Sequence, residues 1–364
     1  MIGDQDASSL RILAISALWQ GANDYAFVRA FRRMGHSVRA VSEQEFLPSW
    51  RSWPLRLVRR VLRERIVEDY NQALLREARM LRPDLLFVFK GALVKAETLR
   101  AVRDMGTICI QFYPDTGFRA QSPQLWDAIP EYDWFFSTKL DHVEGLRASH
   151  GYHRVSFLPH GFDPETHRPI EASARDIADY GCDVSFIGSI SKKKRAAMEE
   201  LLQRAGELDI AIWGPPTWRE QGGAVAQAYR GSPVLGLEYA KAISLSKINL
   251  GLMFEGSSDG ARPDVLTART FEIPGAGGFM LHERTDEAAE HFEDCTECVL
   301  FSDHDEMIDK IHYYLAHDDE RRAIAAAGRQ RCLDSGYSTD DRARVIIAKF
   351  HELRTQDSNS GADR

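Results

Sequence analysis

Short apolar runs recur along the chain at intervals that leave room for a helix between them. The first six are "LRILAISAL" (10–18), "SVRAV" (37–41), "DLLFVF" (84–89), "TICIQFY" (107–113), "DWFFS" (133–137) and "RVSFLP" (154–159). Turn residues bound each run, and most are apolar on both faces rather than alternating. Such strands, separated by helix-length polar segments, predict a parallel sheet covered by helices on both sides. The "WQGAN" turn after the first run opens a helix expected over 23–34.

The alternation breaks over 164–180, which is rich in Pro, charge and small residues and has no apolar period. It restarts with "CDVSFIGS" (182–189), "DIAIWG" (209–214), "INLGLM" (248–253), "GFMLHE" (278–283) and "CVLFSD" (298–303). From 304 onward the pattern is helical only, and the last ten or so residues are polar. The expected organisation is a Rossmann-like domain over 1–165, a linker over 166–180 and a second Rossmann-like domain over 181–335. A helix over 336–352 is expected to pack back on the first domain, and 353–364 to be a disordered tail. The fold class is therefore α/β, two doubly wound sheets in series closed by C-terminal helices. Sheets of this kind bind ligands at their loop-bearing carboxyl edges, so a shared cleft is expected to hold the site.

Composition adds limits. A chain of 364 residues with 44% apolar and 27% charged residues is a soluble globular protein of more than one core. The formal net charge of −8 argues against a general nucleic-acid binder. No run of 18 apolar residues exists, and the N-terminus has neither a basic nor an apolar signal region. Five cysteines fit a reducing cytoplasm, and the lone CxxC at Cys295 and Cys298 reads as packing rather than as half a zinc site.

The densest chemistry lies in "DVLTARTFEIPGAGGFML" (264–281). Pro263 and the acidic Asp264 predict a helix start there, whose free N–H groups and dipole favour an anion. Arg269 follows one or two turns in, with a planar fork suited to phosphate. Glu272 is expected near the helix end, where a carboxylate gains from hydroxyl donors such as a ribose diol. Pro274 is expected to break the helix, and three glycines follow, Gly275, Gly277 and Gly278. One glycine serves a helix exit, so three suggest a close approach by something else. Earlier, "FIGSISKKKR" (186–195) is a strand, a glycine turn and a basic helix start without the spacing of an ATP-type P-loop. A solvated basic surface and a diphosphate contact through Gly188, Ser189 or Lys192 both fit it. Ser246 and Asn249 border the same region, as pocket residues or as simple caps.

Asp264 and Glu272 together resemble the E-x7-E signature of GT-B glycosyltransferases, with Asp in place of the first Glu. "RTFEIPGAGGFML" resembles the R-x-F-E-x-x-x-x-G-G segment of the CgeB-like, or spore-maturation-type, bacterial members. "LPHGFDPETHRP", "FIGSISKKKR", "IWGPPTW", "SLSKINLGL", "YYLAHDDERRAIAAAGRQRC" and "YSTDDRA" match further landmarks in order. The resemblance covers roughly 155–350; residues 1–150 match only as a generic doubly wound domain. It implies the GT-B fold and transfer of a sugar from a nucleoside-diphosphate sugar, more often UDP-type than GDP- or dTDP-type, to a hydroxyl acceptor. A sugar-nucleotide epimerase or a non-catalytic binding protein are the alternatives. Glu272 would hold the ribose. Arg269 and the Gly188–Ser189 turn, with Lys192, would serve the diphosphate. Trp213, Gly214, Phe271, Gly277 and Gly278 would complete the donor side. Asp264 would be catalytic, though its side chain is one methylene shorter than the usual Glu. No metal is expected, because a helix terminus and cations can neutralise the leaving diphosphate.

On the acceptor side, Asp115 in "YPDTGF" follows a strand and is the candidate general base, an Asx turn being its plain alternative. His160, in "PHGFD", is placed between the domains, as a catalytic or a packing residue. Gly21 would let a ligand approach the first domain's backbone. Residues 51–65 carry six arginines interleaved with Leu, Val and Trp. They read as a basic amphipathic helix, solvated or in peripheral contact with the inner face of a membrane bearing a lipid-linked acceptor.

Overall fold

The computed structural model describes residues 9–46, 62–117, 123–256 and 262–362. They form two compact units: Met1–Leu158 with Ala343–Arg364, and Pro159–Arg342.

The first unit holds β1 (Arg11–Ile15), β2 (Ser37–Val41), β3 (Leu85–Phe89), β4 (Ile108–Tyr113), β5 (Trp134–Ser137) and β6 (Val155–Phe157). All pair in parallel, in the order β2-β1-β3-β4-β5-β6. The apolar runs have no alternation because both faces are buried. Leu13, Ile15, Leu86 and Val88 enter one core cluster, while their neighbours Ile12, Ala14, Leu85 and Phe87 enter the other. Each of these side chains larger than alanine contributes about 1.5–3 kcal/mol on burial. The second cluster is closed by Ala343, Ile346, Ile347 and Phe350 of the last helix, Thr339–Ala362. The chain leaves β1 for β2 on one side and returns to β3 on the other, so this sheet switches between β1 and β3.

The second unit holds β7 (Cys182–Ile187), β8 (Ile210–Trp213), β9 (Tyr229–Gly231), β10 (Ser246–Gly251), β11 (Met280–Glu283) and β12 (Val299–Phe301). Its parallel order is β12-β11-β10-β7-β8-β9, with the switch between β7 and β10. The three-residue β9, "YRG", has no apolar run and is defined only by its pairing with β8.

Two expectations need correction. The segment expected as a linker contains the helix Ala174–Tyr180, started by a capping box between Ser173 and Asp176. That helix buries none of its residues, which is why it shows no apolar period. The polar tail expected to be disordered from 353 is helical as far as Ala362. Residues 51–61 of the basic stretch lie outside the described residues, and the helix Arg63–Leu81 carries its remainder. Among the described residues no helix is long and apolar enough to cross a membrane.

Candidate functional site

At the switch point of the second sheet, one arginine ties two strand ends together. The Arg269 guanidinium donates to the carbonyl of Ile187, the last residue of β7, at 3.2 Å, and to Leu252, just past β10, at 3.0 Å. It lies 5.3 Å from the centroid of the Phe186 ring. Its Nε is buried and has no partner among the described residues. The helix that carries it is Ala268–Gly275, later than the proline predicts, because Thr267 caps it: the Thr267 N–H donates to Thr270 Oγ1 at 3.1 Å. Asp264 is therefore not in a first helical turn. It lies in the preceding loop, its N–H bonded to the Phe254 carbonyl at 2.9 Å. Pro274 does not break the helix but falls in its last turn.

Glu272 lies in the last turn of this helix, near its end as the sequence suggests, and is 6% exposed. It faces Tyr239 of the helix Leu237–Leu245. Burial pushes the Tyr239 hydroxyl far above its ordinary pKa, and the charge of Glu272 adds to that. In β11 beneath, His282 is fully buried, with Nε2 2.9 Å from Thr270 Oγ1 and Nδ1 2.6 Å from the Glu283 carbonyl. A donating Nδ1–H leaves Nε2 to accept from the threonine, so the ring is held neutral. Burial lowers its pKa to about 4.

The glycines that suggested a ligand are crowded by the protein itself. A Cβ at Gly275 would lie 2.5 Å from the Phe162 ring, and one at Gly278 would lie 2.5 Å from Ile243. Gly277 is needed for its φ of +81°. A Cβ at Gly188 would meet Arg269 Nη1 at 2.8 Å, and one at Gly214 the Gly188 carbonyl at 2.3 Å. Phe271 packs against Tyr337, His291 and Phe292 in the core, and Trp213 is buried beside Tyr180 and Arg230. Phe271, Trp213 and these glycines are thus each packed against other parts of the same unit. Ser246 and Asn249 likewise bond inward: Ser246 Oγ donates to the Ala242 carbonyl, and Asn249 Oδ1 accepts from Ser185 Oγ.

Ser189 and Lys192 are exposed at the start of the helix Lys192–Arg204. The anion at this terminus is Glu255: its carboxylate accepts from Ser191 Oγ at 2.5 Å and from the Lys193 N–H at 3.1 Å. Burial pushes the Glu255 carboxyl up, but Ser191 and the nearby N–H groups outweigh it and leave the pKa below its ordinary value. Beside it opens a cavity of about 430 Å³, lined by Lys193, Lys194, Met253, Glu283 and His304 among others. Lys193 Nζ pairs with Glu283, whose other oxygen accepts the Met253 N–H at 3.2 Å.

In the first unit, Asp115 follows β4 and its Oδ2 is 2.5 Å from Lys90 Nζ. Lys90 follows β3 with φ +66°, in the left-handed region, and Gly91 after it has φ +69°. Gly21, in the turn beyond β1, has φ +98°. His160 belongs to the second unit, where its carbonyl accepts from the Arg342 guanidinium.

Residues 192–348 match the model of the glycosyl transferase-like family, and this segment includes Arg269, Glu272 and the cavity. Over nearly its full length the chain is similar in structure to a sucrose-phosphate synthase from Thermosynechococcus elongatus. The TM-score is 0.65 at 12% identity, covering 95% of this chain and all of that one. A glycosyltransferase from Rickettsia africae gives 0.64 at 11% identity, covering 95% and 99%. Anabaena HepE, solved with UDP and glucose, gives 0.61 at 11%, covering 94% and 100%. No curated protein matches the chain in sequence. The fold is GT-B.

In this GT-B chain, sequence reasoning missed Glu255, Glu283 and the partly buried Glu43 of the first unit. None lies in a local motif, and each acquires meaning only through a partner far along the chain. Glu255 reaches Ser191 across 64 positions, and Glu43 reaches Leu93 across 50.

Proposed function

We propose that the protein transfers a sugar from a nucleoside-diphosphate sugar of the UDP type to a hydroxyl acceptor, as one of the CgeB-like bacterial glycosyltransferases. The observation that carries this reading is the family match over 192–348, centred on a helix that stands at the switch point of its sheet. The UDP-bound HepE neighbour supports the choice of nucleotide. In this scheme Glu272 accepts hydrogen bonds from the ribose. The unpaired Nε of Arg269 and the exposed Ser189 and Lys192 serve the diphosphate. Asp115 takes the proton of the acceptor hydroxyl as its oxygen bonds to the anomeric carbon. The bond from that carbon to the diphosphate breaks, and its electron pair leaves with the diphosphate. Arg269 and the exposed Lys192 meet the charge of the leaving group, so the scheme includes no divalent cation.

The test is incubation with UDP-, GDP- and dTDP-sugars in the presence of hydroxyl acceptors, following release of nucleoside diphosphate. UDP release that survives a chelator is expected. A sugar isomerised without release would mark an epimerase, and a raised Tm with no turnover a binding protein. Activity that returns only with added magnesium or manganese would overturn the metal-free scheme.

A further inference from the structure

The carboxyl edge of the first sheet contains an ionisable group that the scheme above leaves unused. Glu43 begins the short 3-10 turn Glu43–Glu45 after β2, and its carboxylate turns inward. Oε1 accepts the Leu93 N–H at 2.8 Å, and the Ala92 N–H also bonds to this carboxylate. Those two amides lie in the loop that starts at Lys90. The loop is strained at its origin, where Lys90 is left-handed ahead of the left-handed Gly91, and the Lys90 conformation is held in place from several sides. The Lys90 N–H donates to the Phe112 carbonyl at 2.9 Å, and Gln111 Nε2 donates to the Lys90 carbonyl at 2.7 Å. Lys90 then reaches Asp115, and both side chains stay partly exposed. Four charged groups thus act on one another here: Glu43, Asp24 from the helix Asn23–Arg33, Lys90 and Asp115.

Polar side chains lie in the core near Glu43. The hydroxyls of Tyr70 and Tyr132 and the Oε1 of Gln111 are fully buried and have no hydrogen-bond partner among the described residues. Both tyrosines feel the charge of Glu43. A Cβ at Gly91 would lie 3.2 Å from Tyr132 Oη. Burial raises the Glu43 pKa to about 7, against the pull of the two amides and Lys90.

We propose that Glu43 is a positioning residue for Asp115, acting through the loop that carries Lys90. Ionised Glu43 grips the Ala92 and Leu93 amides and shares the positive charge of Lys90. Asp115 is then held less tightly by Lys90 and is freer to meet an acceptor hydroxyl. Neutral Glu43 leaves Lys90 to Asp115, and the base is quenched by its own ion pair. Glu43 does not receive the acceptor's proton, which goes to Asp115. This inference rests on the reading of the protein as a sugar transferase with Asp115 as its base.

The experiment compares pH–rate profiles of the wild type, Glu43→Gln and Lys90→Met with carboxyl NMR titration of the full chain. A group titrating near pH 7 makes the wild-type kcat/KM rise about tenfold from pH 6 to 8. Glu43→Gln keeps one acceptor oxygen for the loop amides but cannot ionise. It should fold, show a flat profile over that range, and remain near the low-pH rate. Lys90→Met should also flatten the rise and should raise the Glu43 titration midpoint, because a cation is lost. An unchanged rise in folded Glu43→Gln overturns the proposal, as does a Glu43 midpoint that ignores Lys90→Met. If no sugar nucleotide turns over at all, the transferase reading fails by itself. The NMR arm still decides whether Glu43 and Lys90 are coupled.

Discussion

Arg269 Nη1 donates to the Ile187 carbonyl at 3.2 Å, so a side chain of the central helix closes the end of a strand to which it is not joined in sequence. Its second bond, to Leu252, reaches the next strand of the sheet, across the switch point. A lysine at this position reaches only one of these carbonyls. Arg269→Lys should therefore destabilise the second unit by about 1–3 kcal/mol and also weaken UDP binding. Thermal unfolding and UDP titration measure the two effects. A mutant with wild-type Tm would show that the two bonds contribute nothing in solution.

Glu272 is expected to lose its role without loss of fold. Glu272→Gln preserves the packing against Tyr239 and removes only the charge. If the carboxylate accepts from a ribose diol, UDP affinity should fall by about 1.5–3 kcal/mol, roughly 10–100-fold. Calorimetric titration of UDP into the folded variant decides it. Equal affinity for UDP would place the ribose elsewhere.

Much of the fold was legible because buried parallel strands leave long apolar marks, as "LLFVF" and "CDVSFI" do. The misses have physical causes. β9 is three residues long and is recognisable only by its neighbour, and the helix Ala174–Tyr180 buries nothing that would give it a period. The glycines of 275–278 were legible as close approaches, but not what approaches: Phe162, Ile243 and Asn249 come from other parts of the chain. Arg269 stood out by residue type, yet its partners are backbone carbonyls, which carry no sequence signal. Glu43 and Glu255 were invisible for a related reason, since their meaning depends on loop contacts made across long stretches of chain.

His282 makes a prediction about acid. Its ring is held neutral when folded, with a pKa of about 4 against an ordinary 6.5. The unfolded chain therefore binds the proton more readily. The stability from this residue is fully present above pH 6.5 and is lost as pH falls from there toward about 4. The full effect is about 3 kcal/mol, at 1.36 kcal/mol for each tenfold change in proton affinity. Urea unfolding at pH 7.5 and pH 4.5 should show a smaller loss for His282→Asn than for the wild type. Equal losses would mean that His282 protonates without cost in the fold.

Two glycines should respond to alanine with opposite sign. Gly145, within the helix Leu140–His150, has nothing within 4 Å of an added Cβ. Alanine there lowers the backbone entropy of the unfolded chain and favours the helix, for a gain of about 0.5–1 kcal/mol. Gly188 is the reverse case. Its Cβ would stand 2.8 Å from Arg269 Nη1 and 3.0 Å from the Phe186 ring, on the two groups that fix the strand ends. The guanidinium must move, and its bonds to Ile187 and Leu252 lengthen or break. A cost of about 1–3 kcal/mol is expected for that overpacking, together with weaker UDP binding. The paired measurement separates a local clash from a general dislike of alanine in this protein. Gly145→Ala should raise Tm while Gly188→Ala lowers it. If Gly188→Ala is as stable as the wild type, Arg269 has another place to go, and the carbonyls of Ile187 and Leu252 are not what holds it.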